Sequence, residues 1–354
     1  MKITEFKLFT YNVKLEKPFK ISYAEFTEYR NIILVVYDEK GNLGISEVEE
    51  EAEIRKIYNT LERISKESKL TLHKVNYLAY KYSVDNITKC LIINAIFDIY
   101  ARREGLPLYV YLGEKLDKIL SDVTVGLDIP EEMLKEIEYY LNLGYNIIKV
   151  KVGRGLKWDL NLIEKVYDRI RGKARVRLDA NQGWSFKEAE KILRTIQKLG
   201  IVELIEQPLQ KDKLGELKKL REISKIPIAV DESVRSIEDM VNIVKHKAAD
   251  VVNIKVHRVG GLYEALSMAY LALKYNLDIM VGCSLETDIG ILHDLAFACG
   301  VGAKYADLDS DVLNKVHVLK VRIPFPIRKP LDKPGIGITE EDINWHVLSE
   351  VEVK

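Results

Sequence analysis

Residues 146–181 read NIIKVKVGRGLKWDLNLIEKVYDRIRGKARVRLDAN. An apolar run, Asn146–Lys151, gives way to an amphipathic stretch of helical period and then to a second apolar run, Arg175–Asp179. Strands joined in this manner are the repeating unit of a parallel sheet. The unit recurs on both sides, with further apolar runs at Asp122–Leu127, Val202–Ile205, Pro227–Val230, Asp250–Ile254, Asp278–Val281 and Tyr305–Leu308. Eight strands, with a helical segment after each of the first seven, predict an α/β fold of the (β/α) barrel kind. An open doubly wound sheet is the competing topology, but no glycine-rich phosphate loop follows the first strand.

Before this region the rhythm differs. Ile3–Leu15 and Asn31–Tyr37 read as strands, and Asp38–Asn42 is a turn leading to a third strand at Leu43–Val48. Three helical stretches follow. The clearest is Asn86–Arg103, with Leu91, Ala95, Ile96, Ile99 and Tyr100 on one face and Gly105 as a stop. These changes of pattern divide the chain into an α+β domain (1–120), the barrel (121–320) and a C-terminal segment (321–354) expected to pack back on the first domain. Hydrophobic residues make up 47% and charged residues 31% of the 354, which suits a globular enzyme with a large core. Lys+Arg and Asp+Glu are 54 each, so bulk charge offers nothing to nucleic acid or to a membrane surface. Three cysteines make no disulfide framework. No apolar run nears the ~20 residues of a membrane helix, and the alternating N-terminus reads as a strand rather than a signal peptide. A cytoplasmic location is expected, with a homo-oligomer compatible.

The ends of the barrel strands carry the chemistry. Lys151, Asp179, Glu206, Asp231 and Lys255 follow one another at steps of 28, 27, 25 and 24 residues, one strand–helix unit each. Such steps place all five at the C-terminal mouth, at similar height, where barrel active sites lie. Asp179, Glu206 and Asp231 would repel one another unless a cation sat between them. An oxygen-only donor set suits Mg²⁺, with Mn²⁺ as the alternative. The plainer reading makes each carboxylate the cap of the next helix. Lys151 and Lys255 flank the acids and would face a bound carbon from opposite sides, as base and acid in turn. Alternatively they only balance the carboxylates. Lys149 shares the face of Lys151, and its ammonium would disfavour protonation of Lys151. The chemistry implied is removal of a proton α to a carboxylate. The resulting enediolate carries a second negative charge, which a divalent cation stabilises.

The segments IKVKVG (148–153), RLDANQGW (177–184), IEQP (205–208), VDES (230–233), VNIKVHRVGG (252–261) and GCSLET (282–287) resemble the muconate lactonising branch of the enolase superfamily. INAIFDIYARREGLPLYVYLG (93–113) and GNLGISE (41–47) resemble the same family outside the barrel strands, so the likeness spans about residues 17–338. Superfamily sites are known as users of a Lys or His base with Mg²⁺. The resemblance implies a modified TIM barrel, (β/α)₇β, with an N-terminal α+β capping domain. It implies Lys151 and Lys255 as the catalytic pair and Asp179, Glu206 and Asp231 as metal ligands. The seventh strand, Ile279–Glu286, lacks the His that mandelate racemase-like members use. His257 has no evident carboxylate partner at the position mandelate racemase-like members use, and His293 falls on the next helix.

Asp307 and Asp309 look like the Asp-x-Asp pair with which dipeptide epimerases bind the substrate ammonium. Two residues apart on a strand, they share one face. The alternative is a loop or capping role. The likeness implies a Mg²⁺-dependent dipeptide epimerase working by 1,1-proton transfer. o-Succinylbenzoate synthase, N-acylamino acid racemase and muconate cycloisomerase are the rival activities. Lys149 and Glu286 are expected near the substrate. The capping loop, Lys17–Phe26, has Ala24 where Ala-Glu epimerases carry an arginine, so Lys20 is the local substitute. Phe19, Ile21 and Tyr23 would instead line an apolar pocket. Glu49, Glu50 and Glu51 read as the start of the following helix rather than as selectors of a basic side chain.

Overall fold

The computed structural model describes residues 1–21, 24–49, 53–82 and 84–351. Its centre is an eight-stranded parallel sheet whose strands neighbour one another in chain order. They are Val123–Val125, Ile147–Lys151, Arg175–Asp179, Val202–Glu206, Ile228–Val230, Val251–Ile254, Asp278–Gly282 and Tyr305–Asp307. A bridge between Ser121 and Ala306 brings the first and last strands together, so the sheet nearly closes into a barrel. Each of the first seven strands is followed by a helix of ten residues or more. These helices bury one face on the sheet. Phe186–Ile196, for example, buries Ala189, Ile192, Leu193 and Ile196. An apolar layer of Leu204, Ala229, Val251, Met280 and Tyr305 lies inside the barrel as a cluster separate from the main core.

Register decides how the charged strand ends meet. Lys151 pairs with Asp179, and Asp179 with Glu206. Glu206 pairs with Ala229, so Asp231 stands two residues further along its strand. The expected equal height therefore holds for the first three residues and is staggered at the fourth. Strand tilt in a closed barrel imposes that shear. A shift of two preserves the inward face.

The first domain is an antiparallel sheet in the order Ser349–Glu350, Ile3–Ile21, Ala24–Asp38, Leu43–Glu49. Helices Ile54–Ser65, Leu72–Lys81 and Asn86–Arg103 cover it. The last has the bounds expected from its period, but it is not one-faced. Every residue from Cys90 to Ile99 is buried, because the helix lies between this sheet and the barrel side. A Cβ at Gly44 would collide with the Ala95 carbonyl, so helix and strand touch backbone to side. Residues 17–21 and 24–26, expected as part of a loop, instead continue the first two strands as an antiparallel pair, with Phe19 opposite Phe26 and Lys20 opposite Glu25. The hairpin rests on the barrel through a hydrogen bond from Leu127 N–H to the Lys20 carbonyl (2.9 Å). Among the described residues no helix is long and apolar enough to cross a membrane.

Candidate active site

The second barrel strand turns two lysines inward. Lys149 is 2% exposed and Lys151 8%. Lys149 Nζ lies 2.7 Å from Asp307, 2.8 Å from Glu206 and 3.1 Å from Asp179. Lys151 Nζ donates to Asp179 (2.6 Å) and to Asn181 (2.9 Å). Across the mouth, Lys255 Nζ stands 3.3 Å from Asp231, whose other oxygen accepts from Arg258 (2.5 Å). Asn253 donates to Glu206 Oε1 at 2.8 Å. Lysines and carboxylates thus form one network on one barrel interior. The capping alternative for the acids fails, since the helices after the third and fifth strands are capped by Ser185 and Ser236. Asp179 Oδ1 instead accepts from the Asn181 amide (2.9 Å).

The electrostatics are unequal. Burial raises Lys149's cost of charging, but Asp307, Glu206 and Asp179 outweigh it and hold its pKa well above the ordinary value. Lys149 is a fixed cation, and its charge reaches Lys151 already balanced by three carboxylates. Burial pushes Asp179 and Asp231 upward, yet the neighbouring lysines, with Arg258 at Asp231, hold both below the usual carboxylate range. Glu206 is the exception. Burial and repulsion from Asp179, Asp231 and Asp307 push it up to about 7 against Lys149. Its Oε2 accepts no well-aligned hydrogen bond, although Lys149 is 2.8 Å away. Proximity matters more than alignment for an ion pair, so this oxygen is paired by charge while keeping unused acceptor capacity. An acid pushed up among acids, with oxygen donors only, is a setting that fits a divalent cation.

The eighth strand brings in a residue the strand-end pattern did not reveal. Asp122, Asp307 and Asp309 place one carboxylate oxygen each within 4.8 Å of one another, all buried. Asp122, at the start of the first strand, is bound by Arg177 (2.7 Å), which also donates to the Ala306 carbonyl. Asp309 accepts from the Thr124 amide (2.6 Å), not from the short helix behind it. Burial and Asp307 push Asp309 up to about 6. Asp122 precedes its strand, where the reading of strand C-termini does not look. Arg177 and Asn253 were legible as inward residues by alternation with Asp179 and Lys255, but a buried pair declares itself only when both partners are placed.

Glu286 follows the seventh strand and is 4% exposed. Its Oε1 accepts from Ser284 N–H (3.0 Å) and lies 3.1 Å from His257 Nδ1, a charge contact without an aligned hydrogen bond. The sequence hid this pairing because it joins the short helix Val256–Val259 to the turn after the seventh strand, 29 positions on. His293 is a core residue, with Nδ1 on the Ile289 carbonyl (3.0 Å). Lys20 is engaged by Asp128 (3.4 Å) and lines a groove of about 630 Å³ with Lys17, Tyr139, Tyr140 and Tyr145. Phe19, half-buried, is on the opposite hairpin face by alternation. Tyr23 and the side chain of Ile21 lie outside the described residues, as do Glu50 and Glu51. Glu49 ends a strand rather than starting a helix, which begins at Ile54 without an acidic first turn.

Residues 132–342 match the family model for the enolase C-terminal domain-like fold. The chain belongs to the enolase superfamily. The L-Ala-D/L-Glu epimerase of Bacillus subtilis is 31% identical over 355 residues, covering 96% of this chain and 97% of that protein. Its substrate-liganded structure superposes with a TM-score of 0.89 at 30% identity, over 95% and 98% of the two chains. A dipeptide epimerase of Cytophaga hutchinsonii, solved with Mg and D-Ala-L-Val, gives a TM-score of 0.91 at 26% identity and 99% coverage of both. The N-succinyl-L-Arg/Lys racemase of Bacillus cereus is 28% identical over 371 residues, with 100% and 98% coverage. This superfamily member is an isomerase of the racemase and epimerase kind.

Proposed function

We propose that this enolase-superfamily protein is a Mg²⁺-dependent dipeptide epimerase in which Lys151 and Lys255 exchange the α-proton on opposite faces of the substrate. The observation that carries the reading is the placement of these two amines on opposite sides of one carboxylate-lined barrel mouth. Lys151 removes the α-proton of one epimer and Lys255 delivers a proton to the opposite face, which forms the other epimer; in the reverse direction Lys255 is the base and Lys151 the acid. Asp179, Glu206 and Asp231 would hold the metal, which when bound neutralises charge developing on the substrate carboxylate. Asp307 and Asp309 take the substrate ammonium, with Asp122 beneath them. That cluster already carries Arg177 and Lys149, so it has room for one more monovalent charge rather than a dication. Phe19 and its hairpin face the distal side chain; with Lys20 committed to Asp128, an apolar second residue fits better than an acidic one. Similarity to dipeptide epimerases at about 30% identity supports the substrate class.

The test is proton exchange in D₂O with Mg²⁺ over a library of L,L- and L,D-dipeptides. Deuterium at one α-carbon with inversion is expected for some member, and absence of label across the library would refute the proposal. A second reading, racemisation of N-acylated amino acids, is favoured by Asp307 being engaged already by Lys149 and by the likeness to the succinyl-amino-acid racemase. It predicts turnover of an uncharged-nitrogen substrate that survives Asp309→Asn.

A further inference from the structure

The turn after the seventh barrel strand is held from outside the barrel. Tyr29 Oη donates to the Glu286 carbonyl (2.8 Å), and Asn31 Nδ2 donates to the Leu285 carbonyl (3.2 Å). Glu47, on the third strand of the first sheet, accepts from Thr287 N–H (2.5 Å) and from the Thr287 hydroxyl. Three residues of one antiparallel sheet thus grip three consecutive residues, Leu285 to Thr287, of the other domain. The helix beginning at Asp288 makes room for this. A Cβ at Gly290 would approach Glu286 Oε2 at 2.5 Å and Glu47 Oε1 at 2.7 Å, so only glycine admits both carboxylates there. Glu286 in turn faces His257, whose Nε2 meets Ser284 Oγ at 3.0 Å. His257 is two residues from Lys255 on the same tight turn, where Val259 N–H bonds to the Lys255 carbonyl (3.2 Å).

We propose that Glu47 and Tyr29 are positioning residues for one of the two catalytic lysines: they fix the 284–287 turn, which sets Glu286 against His257 and thereby the backbone that carries Lys255. Lys151 sits on the second strand and receives nothing from this clamp. The two halves of the proton exchange should therefore respond unequally. This rests on the two-lysine reading above.

The experiment measures α-proton washout from each epimer separately in D₂O for wild type, Lys255→Ala, Glu47→Ala, Glu47→Gln and Tyr29→Phe. Glu47→Ala is expected to slow washout at least 30-fold for the epimer that Lys255→Ala silences and less than 3-fold for the other. Tyr29→Phe, the milder variant, slows the same epimer 3-fold or more. Glu47→Gln, which keeps an acceptor for Thr287 N–H, stays within 3-fold of wild type. Equal slowing of both epimers, the mark of a purely structural role, overturns the proposal, as does no change in either. A crystal structure of Glu47→Ala gives a readout independent of substrate. The His257–Glu286 contact is expected to leave hydrogen-bond range, and its retention overturns the positioning role even if no dipeptide is turned over. An inactive wild type would count against the proposed function, not against this contact.

Discussion

Lys149 shows how a side chain that is costly to bury becomes indispensable. Removing it strips Glu206 and Asp307 of their lysine in a buried site and leaves Asp179 with Lys151 alone. Breaking a buried ion pair by deleting one partner costs roughly 3–5 kcal/mol. Lys149→Met should lower unfolding free energy by about that much in urea titrations without metal, and saturating Mg²⁺ should restore part of the loss. Glu47 gives a pH signature. Burial pushes it up to about 8, with Glu286 and Asp288 adding to the effect and the Thr287 bonds opposing it. Its folded pKa is raised, so between about 4.5 and 8 the native state binds a proton the unfolded chain has released. Stability from this group therefore falls as pH rises through that window. Glu47→Gln should flatten the pH dependence of urea midpoints between pH 5 and 8; an unchanged slope would show that another group sets it.

At the scale of elements, the barrel helices follow local rules that a reader of the chain can apply. Ser185 and Glu188 form a reciprocal capping box at the helix Phe186–Ile196. Ser185→Ala should cost ~1 kcal/mol of stability, visible as a lower urea midpoint with an unchanged slope and undisturbed metal binding. The strand ends obey a subtler rule. Alternation declared that Lys149 and Lys151 share a face, but the two-residue stagger at Asp231 belongs to the barrel's shear, which no single strand contains. Strand pairing at 17–21 and 24–26 is hidden in the sequence because apolar–polar alternation is interrupted at Glu16–Pro18, where the pairing slips between Lys14 and Phe19.

On the scale of the whole molecule, the mouth of the barrel crowds carboxylates whose mutual repulsion its lysines offset only in part, as the raised Glu206 shows, and a divalent cation would relieve the rest. Mg²⁺ binding only the folded form stabilises it by RT ln(1 + [L]/Kd), about 2.7 kcal/mol at a hundredfold excess over Kd. Addition of Mg²⁺ should raise the thermal midpoint of wild type, and Glu206→Gln should abolish the rise. Asp309→Asn should retain it, because in the proposed function the eighth-strand carboxylates serve the ammonium rather than the metal. If Asp309→Asn loses the shift and Glu206→Gln keeps it, the metal belongs to the Asp122, Asp307 and Asp309 cluster instead.

By itself the chain specified eight strands, their helices and the charged residue closing most of them, because each depends on periods of two and 3.6 residues that are local. It also singled out two lysines and three acids as residues that meet at the barrel mouth, since unit spacing is a one-dimensional property. Only the tertiary structure joined Asp122 to Asp307, His257 to Glu286 and Glu47 to Thr287. Those contacts link residues 29 to 240 positions apart, and what brings them together is burial, which makes polar groups shut away from water seek hydrogen-bonding or charged partners. No periodicity records that demand; closure of the sheet and the docking of the first domain impose it.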